Sequence, residues 1–205
     1  MNHGTASIFT ALRNNTDGAK DKFLTELVRI MEKYPWCAGV DIDLERGGEY
    51  ENREAANALF KDIYGTVKAY DSSKLVNLCL PGMTSVNGSV GGENWCVYAD
   101  LDAYCDTMAI MSYGMAWAGS APGPVLPRDW LEGIYDYASS VMNPQKIFMG
   151  LPGYGWNWQI YDTPENLGKT YRGTSNTYYA AKLWMTGGYN FTDDTAVSYT
   201  HLRAH

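Results

Sequence analysis

Ala38-Gly-Val-Asp-Ile-Asp-Leu-Glu45 decides the reading of this chain, because three carboxylates alternate in it with three aliphatic residues. Read as a strand with a period of two, it turns Val40, Ile42 and Leu44 to one face and Asp41, Asp43 and Glu45 to the other. The aliphatic face can pack. Three carboxylates spaced ~7 Å apart along one strand repel if buried together, so some must hold a proton, accept hydrogen bonds or face solvent. An edge strand with a solvated acidic face is the plainest account of such a row; the flanking sequence points elsewhere.

Upstream, Thr16 or Asp17 is placed to cap a helix in which Phe23, Leu27, Ile30, Met31 and Tyr34 recur at helical spacing until Pro35 stops it. Downstream, Leu59, Phe60, Ile63 and Val67 repeat the pattern between Glu51 and Tyr70. A strand between two amphipathic helices belongs to a parallel α/β sheet, a fold that carries its chemistry at the carboxyl ends of its strands. Further strands are expected at residues 75–80, ended by Pro81-Gly82, at 107–113 and at 147–151. A helix starting near Pro127, with Leu131, Ile134 and Ala138 inward, precedes the last of these. Residues 46–50, 85–92 and 163–176 read as loops, and 177–185 as a helix. Strands recurring at roughly 30 to 40 residues suit part of a (β/α)8 barrel, which needs about 250 residues when complete. A doubly wound sheet shows the same alternation.

Composition narrows the function classes. Hydrophobic residues make up 45% and charged residues 19% of the chain, and no apolar run approaches the ~20 residues of a membrane span. A net charge of −7 with scattered Lys and Arg argues against nucleic acid as a partner. The 16 Tyr and 7 Trp suit the flat faces of sugars, and equally suit a large core. Cys37, Cys79, Cys96 and Cys105 lack CxxC spacing, and two of them flank predicted strands, where free thiols usually serve as small buried hydrophobes; they suggest no metal site and no disulfide framework. Of the histidines, His3, His201 and His205, none lies near a core motif, which weakens Ser-His-Asp, Cys-His and zinc chemistry. Chemistry is left to carboxylates. The alternatives to a carboxylate enzyme are a carbohydrate-binding protein and an α/β protein that binds Mg2+ or Ca2+ through Asp41 and Asp43; a hard cation needs more oxygen ligands than these two supply.

The acidic stretch resembles the DxxDxDxE signature of glycoside hydrolase family 18, the chitinases and their relatives. Met108-Ala-Ile-Met-Ser-Tyr-Gly114 is similar to the MxYD segment on the sixth strand of that family's barrel. Lys146-Ile-Phe-Met-Gly-Leu-Pro-Gly-Tyr-Gly155 is similar to its seventh strand. Pro122-Gly-Pro-Val-Leu-Pro127 with Asp129-Trp130 resembles the proline-rich loop of the branch that cleaves bacterial cell walls and spore cortex.

The resemblance implies a partial TIM barrel, roughly strands four to seven, and a glycosidase that cleaves β-1,4 bonds next to N-acetylglucosamine in chitin or peptidoglycan. It implies substrate-assisted retaining hydrolysis without a cofactor, an exception to the two-carboxylate scheme. Glu45 would be the acid and base, Asp43 would hold the substrate's acetamido N–H, Asp41 would share a proton with Asp43, and Tyr113 would orient the acetamido oxygen. Met111, Tyr154 and Trp156 would line the glycan, with Trp158 a further candidate sugar platform. Two positions depart from the pattern: Ala38 stands for its first aspartate and Gly114 for the aspartate after the strand-six tyrosine. An inactive chitinase-like lectin is the competing reading.

Residues 1–15 show neither a charged leader nor a cleavage pattern. The chain is expected to enter the family's barrel midway, so that residues 1–196 form an incomplete catalytic barrel. By family resemblance the protein acts outside the cell or at the cell wall. Val197-Ser-Tyr-Thr-His-Leu-Arg-Ala-His205 resembles one reading frame of a sequencing-library transposase adapter, and residues 197–205 are expected to lie outside the fold.

Overall fold

The computed structural model describes residues 4–45, 52–88, 94–158, 173–177, 179–180 and 182. The chain divides into two compact units: Met1–Met111 with Glu132–Gly150, and Ser112–Leu131 with Leu151–His205.

In the first unit, β1 (Gly39–Ile42), β2 (Leu75–Pro81), β3 (Thr107–Met111) and β4 (Ile147–Met149) form one parallel sheet in the order of the sequence. That order separates the two α/β architectures. A doubly wound sheet reverses at a switch point, whereas a barrel adds each strand beside the last. Every neighbour here is also next in sequence, so the sheet is a segment of an α/β barrel.

One face of the sheet is sealed. Ile42, Val76, Leu78, Leu80, Met108 and Ile110 alternate with the residues of the other face, and all are buried. The partners are helices α2 (Ala19–Lys33), α3 (Arg53–Tyr70) and α4 (Arg128–Val141), which bury Leu27 and Met31, Leu59, Phe60, Ile63 and Val67, and Ile134 and Ala138. Helix α1 (Gly4–Arg13) adds Phe9, whose ring meets Trp95 edge-on at 5.0 Å and Phe60 at 6.2 Å, while Phe60 and Trp95 stack at 5.6 Å. Each such side chain contributes about 1.5–3 kcal/mol by leaving water. At the amino ends of the strands, Asp106 Oδ2 accepts from the Val76 N–H at 2.7 Å and pairs with Lys68 Nζ at 2.8 Å, tying α3 to β2.

Three expectations are corrected in this unit. The N-cap position of α2 is Gly18 rather than Thr16 or Asp17, and the side chain that reaches the first turn is that of Asn15, whose Oδ1 accepts from the Lys20 N–H at 2.9 Å. A 3-10 turn over Thr16–Gly18 intervenes, with Asn15 and Asp17 at positive φ, and it places Gly18, which has no side chain to offer, at the helix start. Ile30 and Tyr34 are 47% and 38% exposed, because only the Leu27 and Met31 side of α2 is covered; Tyr34 instead packs edge-on against Trp36 at 5.4 Å. Cys79 lies within β2 and is half-buried, unlike Cys96 and Cys105, which are buried as expected of small apolar groups.

In the second unit, β5 (Tyr154–Trp158) pairs antiparallel with β6 (Gly173–Thr177), setting Trp156 opposite Ser175 and Trp158 opposite Gly173. The residues of β6 belong to the stretch expected to be loop. Backbone pairing to β5 outweighs their polar, turn-like side chains, which had hidden the strand. A Cβ on Gly173 would stand 2.9 Å from Trp158 Nε1, so the hairpin needs glycine there. The expected loops at 46–50, 89–92 and 163–172 and the 197–205 tail lie outside the described residues; in the expected helix at 177–185, Tyr179, Ala180 and Lys182 are helical.

The tightest backbone approach in the sheet is at Gly39, where a Cβ would fall 1.9 Å from the Leu75 carbonyl oxygen. Gly39→Ala must therefore push β1 away from β2, and we expect a loss of about 3 kcal/mol, the upper end of overpacking. Thermal unfolding beside the parent checks this, and an unchanged midpoint would refute it.

Candidate active site

The acidic row begins inside β1 and continues past its end. Asp41 is the third residue of the strand, and Asp43 and Glu45 follow at a period of two in extended chain. All three are exposed, while Ile42 between them is buried. The expected division into an aliphatic and an acidic face is present, at the carboxyl end of a parallel strand.

Strand register supplies partners that the motif does not contain. Asp41 stands opposite Asn77 of β2, and Asn77 opposite Thr107 of β3. Asn77 Nδ2 donates to Asp41 Oδ1 at 2.6 Å, and Asn77 Oδ1 accepts from Thr107 Oγ1 at 2.8 Å. Cys79, two residues along β2 on the same face, directs its thiol to the same Asp41 oxygen at 3.3 Å. The sequence held one signal for these residues: Asn77 and Cys79 alternate with buried Val76, Leu78 and Leu80, so they share the face of the acids.

The electrostatics follow from this crowding. Partial burial, and then the charge of Asp41, push the Asp43 carboxyl above the usual carboxylate range. The Cys79 thiol is pushed up to about 12, first by burial, then by its hydrogen bond to Asp41 and the charges of Asp41, Asp43 and Glu45. It stays a neutral donor. Met111 ends β3, half-buried and opposite Pro81. Among the described residues, no group of three or more His, Cys, Asp and Glu is arranged to hold a metal ion.

The remaining site candidates belong to the second unit. Tyr113 and Tyr154 meet edge-on with ring centres 6.3 Å apart, and Tyr154 and Trp156 do so at 6.2 Å. Tyr113, Tyr154 and Trp156 therefore form one aromatic cluster. Burial pushes the Tyr154 phenol up. Trp158 is 4% exposed and belongs to the packing of the hairpin, where it lies against Gly173, which corrects its reading as a sugar platform; Tyr154 and Trp156 of the same strand are half-buried. Gly114 has φ +93°, and its N–H donates to the Val125 carbonyl at 3.1 Å. A residue with a side chain rarely adopts that φ, so glycine in place of the family's aspartate matches the backbone. Ala38 precedes β1, and its carbonyl accepts from the Leu75 N–H at 2.9 Å, a purely backbone role.

Comparison with known proteins identifies the family and the fold. Residues 3–202 match the family model described as glycosyl hydrolases family 18. The cortical fragment-lytic enzyme of Bacillus anthracis is 28% identical over 141 residues, covering 69% of this chain and 32% of the relative. The glycosylase YvbX of Bacillus subtilis is 25% identical over 150 residues, covering 70% and 41%. The crystal structure of the Bacillus cereus spore cortex-lytic enzyme SleL superposes with TM-score 0.69 at 25% identity, covering 91% of this chain and 41% of that one. A chitinase from Chromobacterium violaceum shares the fold, with TM-score 0.72 at 20% identity, over 86% of this chain and 51% of that one. The chain spans 32% to 41% of the length of these curated relatives.

The raised Cys79 thiol gives a direct test of the crowding beside the acids. With a thiol that ionises near 12, only about one molecule in ten thousand carries the reactive thiolate at pH 8. Timed iodoacetamide labelling followed by peptide mass spectrometry should find Cys79 among the last thiols modified, well after exposed Cys37. Labelling of Cys79 as fast as Cys37 would contradict the description.

Proposed function

Because the chain belongs to glycosyl hydrolases family 18, we propose that it forms part of a glycosidase cleaving β-1,4 bonds beside N-acetylglucosamine, with residues 1–196 as a portion of the catalytic barrel. The observation that carries the reading is the row Asp41, Asp43, Glu45, exposed at the carboxyl end of β1 and backed by a sealed aliphatic face. Barrels of this class place catalytic groups at that end of their strands.

In this reading Glu45 gives its proton to the departing glycosidic oxygen as the C1–O bond breaks. The substrate's own acetamido oxygen bonds to C1 and forms an oxazolinium ion. Water then attacks C1, Glu45 takes the water's proton, and the acetamido group is released with the configuration retained. Asp43 accepts the acetamido N–H through its unprotonated oxygen, and the proton that it shares with Asp41 keeps the row from carrying three full charges. Tyr113 orients the acetamido oxygen, and Met111, Tyr154 and Trp156 contact the glycan; these roles rest on the family resemblance. The proline-rich stretch 122–127 and the cortex-lytic relatives favour peptidoglycan over chitin.

One observation favours a second reading, a carbohydrate-binding protein without hydrolysis: glycine at 114 removes a carboxylate that positions the reacting sugar in the resembled family. Both readings meet in one experiment on the full-length gene product. Reducing-end release is measured from peptidoglycan and from a chitin oligomer, beside Glu45→Gln. We expect release from peptidoglycan, reduced by about 10²–10⁴-fold in the variant, the usual contribution of a general acid, with glycan binding retained. No release by the parent, with binding retained, would establish the lectin instead.

A further inference from the structure

We infer that Asn77, Thr107 and Cys79 are positioning residues that hold the proton of the acidic row on Asp43 by keeping two donors on Asp41 Oδ1. The inference rests on the reading of that row as catalytic, and its parts lie outside the family's motif.

The geometry is a rung across three strands. Asp41, Asn77 and Thr107 occupy successive in-register positions of β1, β2 and β3. The hydrogen bonds run in one direction: Thr107 Oγ1 donates to Asn77 Oδ1, and the amide presents Nδ2 to Asp41. The amide flipped over would set its carbonyl oxygen against Asp41 Oδ1, and that contact needs a proton on the carboxyl. Cys79 approaches the same oxygen from the next position on the β2 face, 3.8 Å from Asn77 Nδ2. The amide N–H can only donate, and the thiol, whose sulfur accepts from Asn77 Nδ2 at 3.8 Å, gives its S–H to Asp41 Oδ1. An oxygen that accepts two such bonds does not carry the proton, and hydrogen bonds to the charged form favour that form.

The consequence falls on Asp43. Among the described residues of β1, its extension to Glu45, β2 and β3, the titratable groups on this face are Asp41, Asp43, Glu45 and Cys79; β3 brings Thr107 and Ala109, which do not titrate. The charge of Asp41 is one of the two causes that raise the Asp43 carboxyl. The donors on Asp41 Oδ1 thus leave Asp43 the favoured seat of the proton that the two share. Such a pair releases its protons in two steps that belong to the pair, and the donors draw the first step to lower pH by stabilising the anion it produces.

The test uses Asn77→Leu, Thr107→Val, Cys79→Ala and Cys79→Ser in the full-length gene product. The readouts are the pH profile of kcat/KM and a carboxyl 13C NMR titration of Asp41 and Asp43. Asn77→Leu should move the lower step of the pair, and the acid limb of the profile, to higher pH by at least about half a unit, since a hydrogen bond to a charged group carries that much or more. Thr107→Val touches no carboxylate and frees the amide to turn, so it should shift the same step in the same direction by less. It guards against a misfolded Asn77→Leu. Cys79→Ala should also shift the step upward, and Cys79→Ser, which keeps a donor, should recover the shift. Unmoved titrations in Asn77→Leu and Thr107→Val, both folded by thermal melt, would overturn the inference even if their rates fall. The NMR titration does not require turnover. Shifted carboxyls in a protein that cleaves no glycan would uphold the inference and remove the proposed hydrolysis, whereas hydrolysis with unshifted carboxyls would do the reverse.

Discussion

Parallel pairing of β1 with β2 is the constraint on which the rest of the first unit depends. It requires glycine at position 39, because the two backbones approach too closely there for a side chain. It sets Asp41 opposite Asn77. By the two-residue period of a strand it also decides which side chains face the helices and which remain available for chemistry. A slip of one residue would bury the three carboxylates and expose Ile42, an outcome opposed both by the aliphatic seal and by carboxylate desolvation. The fold and the site are therefore two results of one register.

The alternation of residues 38–45 was legible because strand period and chemical contrast coincide in it. The helix of residues 53–70 was legible for the same reason, its apolar stripe matching its buried face. The consecutive strand order was not, since alternating helices and strands serve two architectures and only pairing distinguishes them. The Asn15 bond to the first turn of α2 was missed because a 3-10 turn stands between it and the helix. The strand Gly173–Thr177 was missed because its pairing partner carries the apolar information and it carries almost none.

Legibility in the site followed a similar line. The carboxylates, which announce themselves by type, and the Tyr113 to Trp156 aromatics, which the family resemblance singled out, each lie together within their own unit. Asn77, Thr107 and Cys79 were not named, because an amide, a hydroxyl and a thiol are unremarkable until register sets them beside a carboxylate. Cys79 shows the point best. By type it is a small core residue, yet its surroundings make it a hydrogen-bond donor in an acidic corner.

The backbone at Gly114 bears on how such a chain can change. A Cβ there would meet nothing within 4 Å, so there is room for a larger residue; the obstacle is the φ of +93°. Any L-residue in a left-handed conformation carries a penalty of about 1–2 kcal/mol, comparable to the effect of a typical destabilising substitution. Restoring the family's aspartate by a single codon change therefore begins with a folding deficit before any catalytic gain. The loop must first regain an ordinary φ through changes elsewhere, which makes the order of substitutions matter and biases this lineage toward keeping its glycine.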